Sequence, residues 1–319
     1  MRAMRLHELG QPLAMEDAPV PTPGPGEALI RVAACGVNFA DTLMVKGRYQ
    51  EKPELPFAPG LEIAGVVERV GEGVALRPGA RVAALCGAGG FAEYAIAPAA
   101  ACAPVPDGMS DVDAAAFLIA YGTTHLALAH RAGLKPDENL LVLGAAGGVG
   151  LTAVEMGALM GARVIAFARG ADKLEIARAK GAGHVFDSDE TDIREATLAL
   201  GGADVVYDPI GGDQFRAAMR ACNPEARLLP LGFASGDVPQ IPANIVMVKN
   251  LTVIGLYIGA YLKFAPEALS ASFAALFRWY EEGRLAPHVS NRLPLAQANE
   301  ALDLLRTRAA IGKVVIEIG

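Results

Sequence analysis

The stretch that most constrains this chain is Leu-Leu-Val-Leu-Gly-Ala-Ala-Gly-Gly-Val-Gly, over residues 140–150. An apolar run of four, a glycine cluster, and then residues 151–160 of helical composition spell a strand, a tight turn and a helix. Gly147 leaves no side chain between the backbone and an approaching anion, while Gly150 lets the helix close onto the strand. Backbone amides from Ala146 through Gly147, Gly148, Val149 and Gly150 then face a pyrophosphate at the helix start. Ala145 stands where a GxGxxG pattern has its first glycine, so the match draws its weight from the strand before it and the helix after it.

Downstream, apolar runs at 162–168, 184–186, 205–207, 227–231 and 251–257 alternate with helical stretches such as 172–180. That alternation predicts βαβ units, right-handed crossovers and a parallel, doubly wound sheet. A carboxylate about 20 residues after the glycines would serve the ribose hydroxyls of NAD. This chain has Phe167, Ala168, Arg169 and Gly170 there, followed by Lys173. Arg169 and Lys173 suit a 2′-phosphate, at about 1.5–3 kcal/mol per charge-assisted hydrogen bond, so the expected cofactor is NADP(H). Residues 250–258 form an uncharged β-type run at the end of the strand series, an edge that pairing with a second copy across a two-fold axis would protect. A homodimer is expected.

The N-terminal part differs in class. Short alternating runs at 28–34, 63–70, 81–85 and 91–96, broken by Gly and Pro, predict a β-rich, partly barrel-like unit. Residues 113–131 read as a helix. After about residue 261 come helical stretches at 266–282 and 295–307 and a last strand at 313–318, expected to rejoin the first domain. The expected division is 1–122, 123–260 and 261–319.

Composition removes several classes of partner. With 28 Lys and Arg against 35 Asp and Glu, the formal charge is −7, which argues against a nucleic-acid partner. Cys35, Cys86, Cys102 and Cys222 form no CxxC pair, and the five histidines show no metal-ligand spacing, so free thiols in a reducing cytoplasm are expected. The longest apolar candidate, residues 252–262, falls short of the roughly 20 residues a membrane span needs.

Several motifs carry a resemblance that covers essentially the whole chain. They are Val37-Asn38-Phe39-Ala40-Asp41, Pro56-Phe57-Ala58-Pro59-Gly60-Leu61-Glu62, Gly65-Val66-Val67 with Val70-Gly71-Glu72-Gly73-Val74, the glycine turn itself, and Gly312-Lys313-Val314-Val315. With them the sequence resembles the zinc-independent quinone oxidoreductases, the zeta-crystallin-like group of the medium-chain dehydrogenase/reductase superfamily. The resemblance implies an α/β protein: a GroES-like β-rich catalytic domain, an inserted Rossmann domain and a C-terminal return. Zinc-dependent relatives carry Cys and His where this chain has Asn38 and Leu61, so no metal is expected.

Carried over residue by residue, the family's phosphate contacts fall on Lys173 and Arg308, and its nicotinamide neighbours on Asn38, Thr123 and the 232–236 loop with Gly232 and Phe233. Asn38 and Tyr49 are the candidates for hydrogen-bonding a substrate oxygen. Two positions depart from the family pattern: Ser188 and Leu43 stand where many members have tyrosines. The implied activity is hydride transfer from NADPH to a quinone. A reductase of α,β-unsaturated carbonyl compounds, enone or enoyl-CoA, shares every motif, and a non-enzymatic NADPH-binding role stays open.

Overall fold

Alternation in the first hundred residues yields short antiparallel strands. In the computed structural model, which describes all 319 residues, β1 (Arg2–Arg5) pairs with β2 (Ala14–Asp17). β3 (Glu27–Val37), β4 (Glu62–Val70), β5 (Arg81–Leu85), β6 (Tyr94–Pro98) and β7 (Cys102–Pro104) belong to one larger sheet, and α1 (Phe39–Val45) follows directly on β3. The single helix expected over 113–131 is divided into α2 (Asp111–Ala115), α3 (Leu118–His125) and a π-helical turn, Leu126–Arg131. The cause is distant in sequence. The buried Glu62 carboxylate accepts the Ile119 amide at 2.8 Å, a donor that an unbroken helix would have used internally.

The next stretch runs β8 (Asn139–Leu143), α4 (Gly148–Leu159), β9 (Arg163–Ala168), α5 (Ala171–Ala179), β10 (His184–Asp187), α6 (Ile193–Ala199), β11 (Ala203–Asp208), α7 (Gly212–Arg220), β12 (Cys222–Pro230), α8 (Ala243–Lys249) and β13 (Thr252–Val253). Its six strands are parallel, in the order β10-β9-β8-β11-β12-β13. Every residue of β8 is buried, which is why the run at 140–143 is apolar throughout rather than alternating. Leu141, Phe167, Phe215 and Leu228 sit at the centre of the core. Strand order reverses at β8, and the crevice beyond the carboxyl ends of strands at such a point is where these sheets bind ligands.

The edge strand is shorter than residues 250–258 suggest: only Thr252 and Val253 are in β13. The Ile254 amide still reaches the Leu228 carbonyl at 2.8 Å. The next rung of a parallel ladder would need an amide from Pro230, which has none, so the pairing stops.

The chain ends with α9 (Ile258–Phe264), α10 (Pro266–Glu281), β14 (Val289–Pro294), α11 (Ala298–Arg306) and β15 (Lys313–Glu317). β15 pairs antiparallel with β3 and completes a sheet in the order β14-β15-β3-β4-β5-β7, with β6 on β3. The chain therefore divides into two units, Met1–Ile119 with Gly259–Gly319, and Ala120–Ile258. No helix is long and apolar enough to cross a membrane.

Candidate functional site

In the second unit, β8 turns into α4 through Gly144, whose φ of +58° an L side chain rarely adopts. The two glycines picked out by sequence then prove to do different work. A Cβ on Gly150 would lie 2.1 Å from the Gly144 carbonyl oxygen, inside the backbone itself. Gly150 is therefore buried by the approach of helix to strand. Gly147, at φ −79° and ψ 175°, is exposed, and its Cβ would meet only the Gly144 oxygen at an ordinary 3.4 Å. No side chain caps α4, so its first-turn amides, at Gly148, Val149 and Gly150, remain available to an anion. Ala145 and Ala146 are buried beneath the turn. The cradle fits a dinucleotide's pyrophosphate, with the room on the outer side, at Gly147.

At the carboxyl ends of the neighbouring strands, Asp187 fastens two loops. Its carboxylate accepts the Gly170 amide at 2.8 Å and the Asp189 amide at 2.9 Å, and these bonds hold its pKa below the ordinary carboxylate range. Arg169 is exposed, and its Nε lies 2.7 Å from Asp189 Oδ2; Lys173 is half-buried on the first turn of α5. Sequence reading found the two cations and missed the two carboxylates beside them. Acidic residues at and just after the end of an apolar strand, beside the strand that Arg169 follows, were the available signal.

Across the switch point, Asp208 ends β11 and accepts the amides of Ile210 and Gly211. Burial pushes its pKa up to about 6. The 232–236 loop folds back on that turn, since Ala234 and Ser235 donate to the Pro209 and Ile210 carbonyls. Gly232 is half-buried there and Phe233 is exposed. Thr123 is half-buried on α3, and its neighbour Thr124 belongs to a buried hydroxyl cluster that the sequence did not disclose. Thr124 Oγ1 lies 2.7 Å from Thr152 Oγ1 and 2.8 Å from Tyr207 Oη, and Thr152 donates to the Val149 carbonyl at 2.8 Å. The cluster ties α3 and β11 to the first turn of α4.

The first unit holds a second polar centre. Asn38 Nδ2 donates to Glu62 Oε1 at 3.0 Å and to the Gly36 carbonyl at 3.3 Å, and its Oδ1 accepts from Lys313 Nζ at 2.8 Å. Lys313 also bonds Glu62 directly, with side chains only 5% and 1% exposed. Beside them, Asp41 accepts the Asn38 and Gly60 amides, and its burial raises the pKa to about 7. Both amide protons of Asn38 are engaged inside the unit, so holding a substrate oxygen would mean releasing Glu62 or Gly36. Tyr49 is half-buried against the core of the same unit. Arg308 is exposed just after α11, with φ +59°.

The donor set does not fit a zinc ion. Leu61 is a buried core residue, the Glu62 carboxylate already carries an ammonium, and no group of three His, Cys, Asp or Glu side chains is arranged to hold a metal. Burial raises the pKa of all four thiols, so none is a thiolate nucleophile near neutrality.

Comparison with known proteins agrees with this architecture. Residues 24–107 match the alcohol dehydrogenase GroES-like domain, and residues 148–278 the family described as zinc-binding dehydrogenase. The quinone oxidoreductase-like protein 2 homolog of Nematostella vectensis is 41% identical over 99% of this chain and 88% of its own. Among solved structures, the Thermus thermophilus quinone oxidoreductase, determined alone and with NADPH, superposes with a TM-score of 0.88 at 35% identity, covering 99% and 100% of the two chains. The Escherichia coli quinone oxidoreductase in complex with NADPH gives 0.93 at 28% identity, over 99% and 100%. The chain belongs to the quinone oxidoreductase, zeta-crystallin-like group of the medium-chain dehydrogenase/reductase superfamily.

Proposed function

We propose that this protein is an NADPH-dependent oxidoreductase that passes hydride to a quinone without a metal ion. The observation that carries the reading is the glycine turn, tight at Gly150 and open at Gly147, in the sheet whose next strand is followed directly by Arg169. Gly148, Val149 and Gly150 would receive the pyrophosphate through their amides beside the open Gly147, whose own amide donates to the Gly144 carbonyl at 3.0 Å, and Arg169 and Lys173 would receive the 2′-phosphate. The NADPH-bound Thermus and Escherichia coli relatives support the same cofactor. When bound, the dihydronicotinamide supplies a hydride to an electron-poor acceptor, which takes up one further proton to become the hydroquinone.

The chain's own residues contribute orientation, exclusion of water and hydrogen bonding. Thr123 and the 232–236 loop flank the nicotinamide end. The Tyr207, Thr124 and Thr152 hydroxyls hold the first turn of α4 in place beneath it. Tyr49 is the proposed donor to the substrate oxygen. Asn38 serves by holding the end of β3 against Glu62 and Lys313. A homodimer through the open edge of β13, beside the exposed Met247 and Val248 of α8, completes the proposal.

Rates of NADPH oxidation against benzoquinones, naphthoquinones, enones and enoyl-CoA thioesters, measured in the presence of a chelator, test the reading. The highest kcat/KM is expected for a quinone. A higher value for an enone or enoyl-CoA would assign the protein to carbonyl-conjugated alkene reduction instead.

A further inference from the structure

We infer that Asp189 sets the cofactor preference of this protein by competing with the 2′-phosphate for the Arg169 guanidinium. The inference rests on the proposed seat of the phosphate at Arg169 and Lys173, and it adds a residue that weakens that seat.

The geometry is local to the ends of β9 and β10. Arg169 follows the last residue of β9, and its Nε is bonded to Asp189 Oδ2 at 2.7 Å. Asp189 has little freedom to leave, because Asp187 holds its amide at 2.9 Å while gripping the Gly170 amide with the other oxygen. Asp187 thus pins the backbone on both sides of the ion pair, and the Ser188 amide adds a bond to the Ala168 carbonyl at 2.9 Å. The partner that Arg169 is expected to offer a phosphate is therefore already matched to a carboxylate fixed beside it. The Arg169 and Asp189 side chains are 56% and 53% exposed, so the pair is held weakly and a doubly charged phosphate can displace it. Displacement leaves the Asp189 charge facing the phosphate, which opposes binding a second time. A ribose 2′-hydroxyl meets neither penalty, since it leaves the ion pair intact and can donate to a carboxylate. The site should accordingly bind NADPH less tightly than two cations would allow and accept NADH to a measurable degree.

The test is equilibrium binding of NADPH and NADH, followed by fluorescence, to the full-length parent, Asp189→Asn, Arg169→Ala and the double variant. Glu225→Gln is the control. It removes one exposed negative charge next to the amino end of β12, away from the carboxyl ends of the strands. Asp189→Asn is expected to lower the NADPH Kd about fivefold and leave the NADH Kd unchanged or higher. The control should move neither. In the Arg169→Ala background, the gain from Asp189→Asn should shrink to less than half, which separates competition for Arg169 from repulsion through space. A ratio of NADPH to NADH affinity within twofold of the parent in Asp189→Asn, with Arg169→Ala weakening NADPH, would overturn the inference while leaving the phosphate seat intact. If Arg169→Ala itself leaves NADPH binding unchanged, the phosphate seat is wrong and the inference falls with it. An undiminished gain in the double variant would also overturn the competition.

Discussion

The two glycines of the turn make opposite predictions when each is replaced by alanine. At Gly150 the new Cβ would sit 2.1 Å from the Gly144 carbonyl oxygen, 2.8 Å from its carbon and 3.1 Å from the Ala145 Cα. All three are backbone atoms at the end of β8, so relief requires α4 to back away from the sheet. Overpacking of this kind costs typically 1–3 kcal/mol, and a clash with backbone rather than a flexible side chain belongs at the upper end, about 3 kcal/mol or more. At Gly147 the φ and ψ suit any residue, and the Cβ finds ordinary contact at 3.4 Å. The reduced freedom of the unfolded chain offsets the slightly poorer helix cap, leaving stability within about 1 kcal/mol of the parent. The new methyl instead projects where the pyrophosphate approaches. Losing one charge-assisted amide bond, roughly 1.5–3 kcal/mol, weakens NADPH binding about tenfold to a hundredfold. Urea unfolding without cofactor, and NADPH titration of the folded variants, read the two effects separately. Parent-like NADPH affinity in Gly147→Ala would refute the assignment of the open side of the turn to the pyrophosphate. Parent-like stability in Gly150→Ala would refute the packing argument.

Lys313→Met leaves Glu62 charged and buried without its ammonium, and urea unfolding should register a loss of about 3–5 kcal/mol, partly recovered by adding Glu62→Gln. Burial holds the folded pKa of Asp208 at about 6 against the ordinary 3.8, so it favours the folded state below pH ~4, and this contribution is lost as the pH rises through about 6. The contribution is about 3 kcal/mol, and Asp208→Asn, which keeps an acceptor for the Ile210 and Gly211 amides, should flatten the fall in stability across that window; an unchanged profile would remove Asp208 as its source. Light scattering should give twice the 33.1 kDa chain mass for the parent. Val253→Pro removes an amide that faces away from β12, since Ile254 donates to Leu228, and should yield the single-chain mass; a parent already at 33.1 kDa would refute the dimer.

What the sequence disclosed is what short stretches of backbone determine. The turn at 140–150 needs only neighbours within a dozen residues, so its strand, glycines and helix were legible, as were the parallel strands that follow. The centre in the first unit was not, because Lys313 meets Asn38 across 275 positions and Glu62 across 251. A lysine in an apolar terminal strand and a glutamate between Leu61 and Ile63 were the only traces. The same Glu62 divides the helix expected over 113–131 by taking the Ile119 amide, and Pro230 shortens β13 from the neighbouring strand. Asn38 shows the same dependence: residue type suggests a donor, and only the folded partners reveal that its amide protons are engaged. At the cofactor's phosphate end, Arg169 was visible as a cation, but its pairing with Asp189 depends on β10 lying beside β9.

A single-turnover experiment decides whether this chain passes hydride from NADPH to a quinone without a metal ion. Protein loaded with one equivalent of NADPH, in the presence of a chelator, is mixed with one equivalent of a naphthoquinone, and the dihydronicotinamide absorbance is followed. Loss of one equivalent per chain is expected, faster than the protein-free reaction, with the hydroquinone as product. Oxidation no faster than without protein would rule out the quinone reductase, and activity that disappears with the chelator would rule out metal-free transfer.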